Sequence, residues 1–216
     1  LGFSPTSETG KTDIVFALLF ANAESVRTWK VSMASDKGSQ KNFTGTGLGL
    51  PSTITWDGRN SAGAIAPQGK YKATLLVDYG SAFTAGKAAS TTFILDSTRP
   101  TGSIDVSPDL FSPMESGDTV TITISATTAL AKLDGWSMDI YEPGGILFKS
   151  FGGKWPSNVV VWDGKGFDGD LVVSAEDYPV IVRFRDEFGN EGNIRSTILV
   201  DIIVTQTGND YLTQTT

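Results

Sequence analysis

The sequence predicts an all-β chain built as two antiparallel β-sandwiches in tandem, related by internal duplication. Landmarks recur at a nearly constant offset: Trp56-Asp57-Gly58 returns 106 residues on as Trp162-Asp163-Gly164, Trp29 and Tyr71 return 107 on as Trp136 and Tyr178, and Asp78 returns 108 on as Asp186. Composition cannot hold such an offset over about a hundred residues, so each copy is a folding unit. Apolar residues alternate with hydroxyl and charged ones over short runs, which is strand periodicity. Glycine, proline and aspartate punctuate those runs at turn spacing. With 216 residues in all, each copy sits near the commonest domain size and can bury a core without a staple.

The elements follow in order within each copy. An opening strand is expected around Phe3-Ser4-Pro5 and again around Phe111-Ser112-Pro113. Next, Val120, Ile122 and Ile124 take one face of Thr119–Ser125 and hydroxyl residues take the other, a strand with one wet side. Its counterpart puts Ile14, Phe16 and Leu18 inward, yet its outer face carries Val15, Ala17 and Leu19. That face is too apolar to be simply solvated, and a loop, the other copy or a partner is expected to cover it. A strand with Trp29, Val31 and Met33 inward, or Trp136, Met138 and Ile140, leads to a turn at Asp36-Lys37-Gly38 or Glu142-Pro143-Gly144-Gly145. One strand is expected to run from that turn to Ile54-Thr55-Trp56, or to Val160-Val161-Trp162, where Asp-Gly signals the next reversal. Strands from Tyr71 and Tyr178 point Ala73, Leu75 and Val77, or Val180, Val182 and Phe184, inward; closing strands carry Phe93 and Leu95, or Ile198 and Val200, and end at Asp96 or Asp201. Six or seven short strands per copy make two packed sheets, with the inward tryptophans between them, each burying on the order of 200 Å².

The expected limits are 1–98 for the first sandwich, 99–102 for a short proline-stiffened linker, 103–204 for the second sandwich and 205–216 for a polar C-terminal tail. The chain starts at Leu1 without methionine and trails off in polar residues, so it reads as a piece of a longer polypeptide. Its longest apolar run, 14–21, falls short of the ~20 residues a membrane-spanning helix needs, so no direct membrane insertion is expected in this fragment.

Charge and composition narrow the chemistry. The formal charge of −7 divides unevenly: residues 1–102 hold 10 Lys+Arg against 7 Asp+Glu, net +3, and residues 103–216 hold 7 against 17, net −10. An acidic chain is a poor partner for nucleic acid. Cysteine and histidine are both absent. This removes a disulfide framework, thiolate metal sites, the Ser-His-Asp arrangement and the usual neutral-pH base. The glycine-rich Gly45-Thr46-Gly47-Leu48-Gly49 lacks the lysine and following helix of a phosphate loop and reads as a connection. No acid stands alone in an apolar setting as a glycosidase acid must; Glu142 and Glu176 lie in polar turns. No catalytic, cofactor-binding or metal-ligating residue is assigned, and the chain is not expected to be an enzyme.

Two sharper readings remain beside that one. The loop Asp163 to Asp170 carries three carboxylates, Asp163, Asp168 and Asp170, the hard oxygen ligands calcium takes. Lys165 and Phe167 stand at ligand positions of the EF-hand pattern, and the first copy keeps the turn without the extra acids. Trp155, before Pro156 and outside the duplicated pattern, reads first as a ring lying over its own domain's edge, and in the sharper reading it stacks on a sugar ring or fills a partner's pocket.

A tryptophan strand, Trp56-Asp57-Gly58, Gly63, Gly69-Lys70-Tyr71 and Asp78-Tyr79-Gly80 together resemble the immunoglobulin-like domain of the bacterial flagellar hook-capping protein FlgD. The second copy keeps Trp162-Asp163-Gly164, Gly169, Tyr178 and Asp186-Glu187-Phe188-Gly189-Asn190, but has Ser174-Ala175-Glu176-Asp177 where the family has proline and glycine. The resemblance implies two FlgD-type immunoglobulin-like domains of the kind repeated in exported and outer-envelope bacterial proteins. It implies an extracellular or envelope location, in the periplasm, at the outer membrane or on the cell surface. The function expected is a non-enzymatic spacer, presentation or protein-attachment module of a larger polypeptide, whose partner is a protein or the rest of that polypeptide. The alternatives are a carbohydrate or ligand-binding module, possible glycan included and calcium-assisted through the Asp163 loop, and a hook-cap-like assembly scaffold.

Overall fold

The computed structural model describes residues 1–113, 118–172 and 176–201. Their regular structure is strand, apart from one 3₁₀ turn at Ala23–Ser25, so the chain is all-β. No helix among the described residues is long and apolar enough to cross a membrane. Ser174 and Ala175, in the turn singled out above, and the tail 205–216 lie outside the described residues. The chain divides into two compact units: Leu1–Arg99 with Thr128–Lys132 and Asp186–Glu191, and Pro100–Thr127 with Leu133–Arg185 and Gly192–Thr216.

In the first unit the strands are β1 (Gly2–Phe3), β2 (Ile14–Ala17), β3 (Thr28–Ser35), β4 (Gly38–Thr46), β5 (Thr53–Trp56), β6 (Gly69–Asp78), β7 (Gly86–Ala89) and β8 (Phe93–Leu95). One sheet runs β1-β8-β6-β3-β4, with β7 also along β6, and β2 and β5 form the other. The opening strand β1 is parallel to β8. Alternation decides what turns inward: Tyr71, Ala73, Leu75 and Val77 of β6 are buried against Val31 and Met33 of β3. The centre is aromatic, with Trp56 5.0 Å from Tyr71, 5.7 Å from Phe3 and 6.0 Å from Phe93 between ring centroids. Each such ring is a large apolar payload, and edge-to-face contacts add to it.

In the second unit they are β9 (Thr101–Ser107), β10 (Leu110–Phe111), β11 (Val120–Thr127), β12 (Leu133–Tyr141), β13 (Leu147–Lys154), β14 (Val159–Trp162), β15 (Tyr178–Asp186) and β16 (Glu191–Val200). Here the sheets are β10-β16-β15-β12-β13 and β14-β11-β9. Equivalent pairings repeat: Ile14 faces Trp56 as Val120 faces Trp162, and a bulge follows Met33 as one follows Ile140. The cores balance differently. Ile198 stands where the first unit has Phe93, and Phe148 of β13 supplies the missing ring, 6.1 Å from Trp162 and 5.6 Å from Tyr178.

The structure corrects three expectations. Two strands, not one, lie between the first turn and the Trp-Asp-Gly turn: β4 and β5, or β13 and β14. The β4 edge strand carries one large apolar residue, Phe43, so its alternation is too faint to separate it. Trp29 is only half-buried, near Phe20 at 6.3 Å, rather than enclosed between the sheets. It lies across from Gly45, where a methyl group would come within 2.7 Å of its Nε1, so that glycine is the floor for the ring. Among the described residues the outer face of β2 stays open, with Val15 57% and Leu19 91% exposed. In addition, β9 already includes Thr101 and Gly102 of the stretch read as linker.

The Trp-Asp-Gly turn is built identically twice. The indole N–H of Trp56 donates to the Arg59 carbonyl at 2.8 Å and that of Trp162 to the Lys165 carbonyl at 2.9 Å. Gly58 and Gly164 both hold φ of 76°, a left-handed backbone. A methyl on Gly58 would meet Pro5 at 2.4 Å, and one on Gly164 would meet Pro113 at 2.8 Å. Alanine at Gly58 is therefore expected to cost about 1–2 kcal/mol for the backbone and more for the clash. Gly63→Ala, also left-handed but with open space around it, is expected to cost the backbone share alone. Chemical denaturation of the two variants checks the order.

Candidate interaction surface

The loop Asp163 to Asp170 closes on itself as its counterpart does. Gly166 N–H donates to the Asp170 carbonyl as Asn60 N–H donates to that of Ala64, each at 2.8 Å, and Lys165 bridges to Leu171 as Arg59 bridges to Ile65. The Asp163 carboxylate accepts the Lys165 N–H at 3.2 Å and lies 3.3 Å from its ammonium. Slight burial works to raise its pKa, but these Lys165 contacts outweigh it and hold the carboxyl below the ordinary value. Asp57 makes the same bond to Arg59 N–H at 3.0 Å, so the first aspartate is a turn former in both units. Among the described residues no three acids stand close enough to hold a metal ion, and Asp163, Asp168 and Asp170 are not brought together as a ligand set.

Phe167, in the same loop, is the residue the sequence reading missed. Its ring is 58% exposed, and Lys149 Nζ lies 5.6 Å from its centroid. Beside it opens a hollow of about 420 Å³ lined by Ile146, Leu147, Phe148, Asp168 and Asp170 among others. Phe167 stood at a position weighed only as a poor calcium ligand. Trp155, the aromatic singled out instead, is half-buried and packs against the core of the second unit, and its backbone N–H donates to the Asp134 carbonyl at 3.0 Å. Gly45–Gly49 starts as the end of β4 and continues as a turn, with Gly47 N–H donating to the Arg27 carbonyl.

Charge gathers on the polar face of β12 and β15. Arg183 bonds Asp139 at 2.5 Å and Arg185 bonds Asp134 at 3.0 Å. Burial works to raise the Asp139 pKa, but hydrogen bonds from Ser150 and Arg183 and the guanidinium charge prevail and lower it. A depressed folded-state pKa adds stability that is present above the ordinary carboxylate range, about pH 4, and lost as pH falls through the folded value. The gap in denaturation midpoint between the protein and Asp139→Asn is thus expected to be wider at pH 7 than at pH 3. Equal gaps would contradict the ion-pair account.

The first unit also holds a buried polar cluster. Asp96 Oδ2 accepts the Leu130 and Ala131 N–H groups at 3.0 and 2.9 Å, and Oδ1 accepts that of Thr98 at 2.9 Å. Asn190 donates to the Asp96 carbonyl at 3.1 Å and to Asp186 Oδ2 at 2.8 Å, and accepts the Ser4 hydroxyl at 2.5 Å. Every polar group there has a partner, which marks a structural knot.

The β2 strand is different. Among the described residues it pairs with β5 alone, leaving its other edge open. An apolar groove of about 240 Å³ runs along that edge, lined by Phe16, Leu18, Val31, Ala73, Leu75 and Ala89 among others. With exposed Val15 and Leu19, it joins an unpaired backbone edge to apolar surface, which is how one polypeptide recognises another by strand addition.

No family model matches the chain, and no curated protein matches it. Among solved structures, dimeric latent PorU from Porphyromonas gingivalis is similar at 12% identity and a TM-score of 0.38, over 94% of this chain and 19% of that one. The chain thus spans about a fifth of that protein's length.

Proposed function

We propose that the chain is a non-enzymatic structural and interaction module of a larger bacterial cell-envelope or surface protein, working as spacer, presenter or attachment point. The open apolar edge of β2 carries the interaction half of this reading, because a strand edge without a partner among the described residues, beside exposed Val15 and Leu19, is a binding surface that a self-sufficient sandwich does not need. The FlgD-type residue pattern supports the envelope half. Antibodies against the chain, applied to fractionated source cells, are expected to find it in a longer polypeptide of the envelope or exported fraction. Recovery of a free cytosolic protein would overturn the reading.

A second reading, a glycan or ligand-binding module, has its own support in the hollow beside Phe167, whose lining combines that exposed residue with Glu142, Asp168 and Asp170. Binding on a glycan array that Phe167→Ala abolishes, with circular dichroism unchanged, would favour it.

A further inference from the structure

Comparing the two units strand by strand shows what the open edge lacks. β11 of the second unit is flanked on both sides, by β14 and by β9, whereas its equivalent β2 has, among the described residues, β5 only. The equivalence is residue-exact: Ile14 faces Trp56 as Val120 faces Trp162, and Leu18 N–H donates to the Ser52 carbonyl as Ile124 N–H donates to that of Asn158, each at 2.8 Å. β9 lies antiparallel along β11, with Val106 opposite Ile122 and Ile104 opposite Ile124, and these two aliphatics pack on the core that holds Met138, Val180 and Val182.

Burial records the difference. Val120, Ile122 and Ile124 are 0% exposed, while Ile14, Phe16 and Leu18 are only half-buried. The groove floor in the first unit is Val31, Ala73 and Leu75, which stand 107 residues before Met138, Val180 and Val182. The far wall agrees. In the second unit the start of β9 is wedged against β16, so that a methyl on Gly192 would come within 1.9 Å of the Pro100 carbonyl oxygen. In the first unit Ala88, Ala89 and Ser90, at the end of β7, face the groove instead. The groove is the place β9 fills in the other unit.

We infer that the open edge of β2 is the seat of one more β-strand: an extended peptide segment from outside residues 1–216, running antiparallel to β2 and alternating aliphatic with small or polar residues as β9 does. This rests on reading the chain as an interaction module, and names what that module takes. The occupant's aliphatic side chains stand opposite Phe16 and Leu18, and its backbone completes the ladder that β2 leaves unpaired. Its aliphatics are of the Ile and Val class, because that is what the equivalent space receives from Ile104 and Val106. A second copy's β2 would bring the Phe16 ring, bulkier than that pattern.

Two measurements on the full chain test it. A capped peptide with the sequence of Thr101–Ser107 is titrated into the isotope-labelled protein and followed by amide shifts. Saturable shifts are expected at 14–19 and 88–90, and a peptide with Ile104→Asp and Val106→Asp is expected to bind at least tenfold more weakly. In the second, residues 101–109 are grafted ahead of Leu1; Tm is expected to rise and amide exchange at Phe16 and Leu18 to slow, both reversed by the same two aspartates. Protection in either arm that depends on the two aliphatics supports the inference. Its absence from both overturns it, as does a concentration-dependent dimer that pairs β2 with β2. The cellular location is read separately by fractionation, so a negative peptide and graft result leaves that part of the proposed function standing, and cytosolic recovery leaves the strand result standing.

Discussion

Replacing Trp56 or Trp162 by alanine is expected to cost about 3–5 kcal/mol, read as a fall in the denaturation midpoint followed by circular dichroism. Both indoles are fully enclosed. Trp56 touches the rings of Phe3, Tyr71 and Phe93, and Trp162 those of Phe111, Phe148 and Tyr178, so alanine leaves a cavity walled by aromatic rings that cannot collapse into it. It also removes the N–H donated to the carbonyl of Arg59 or Lys165, which ties the strand end to its turn. Phenylalanine keeps much of the apolar volume and loses the bond, so Trp56→Phe and Trp162→Phe are expected to cost roughly half as much as alanine or less, of the order of a lost hydrogen bond plus a small void. If alanine costs no more than phenylalanine, packing around the indole is not what holds the sandwich.

These residues were legible because their chemistry is local. A tryptophan that ends an apolar strand, followed by Asp-Gly, announces the turn wherever it occurs, and its return at a fixed offset announces the duplication. The strands lost to sequence reading were those whose pattern is set by distant partners. β4 has only Phe43 to mark an inward face, since its other inward positions lie across from β3 and include Gly45, a floor for an indole. β9 was missed altogether, because 99–102 reads as a linker and no strand was assigned before Phe111, although one starts directly after Pro100 at Thr101. That oversight hid the open edge of β2, which shows only when the two units are laid strand against strand. Trp155 lies against its own core, which is the plainer of its two readings, whereas Phe167, discounted as a non-ligand, is an exposed ring. Spacing reports turns; it does not report which aromatic finds a neighbour.

Asp96→Ala is the other large expected loss, about 3–5 kcal/mol, in the range found when one partner of a buried charged network is removed. The carboxylate is fully buried and accepts three backbone N–H groups, from Thr98, Leu130 and Ala131. Without it all three donors lose their acceptor, and the enclosed Ala131 N–H is left an orphan, which costs about 1–3 kcal/mol. Asparagine is no remedy. Thr98 donates to one carboxylate oxygen while Leu130 and Ala131 donate to the other, and an amide has one oxygen, so one side meets an NH₂ instead of an acceptor. Asp57→Ala is the control: that carboxylate is exposed and accepts a single N–H, from Arg59, so its loss is expected to cost about 1 kcal/mol or less. The donors to Asp96 also explain why the first unit takes in Thr128–Lys132 and Asp186–Glu191. A polypeptide ending at Arg99 keeps Asp96 but not Leu130, Ala131 or Asn190. Its midpoint is therefore expected to fall below that of the whole chain, and an unchanged midpoint would show that the knot contributes nothing to the first sandwich.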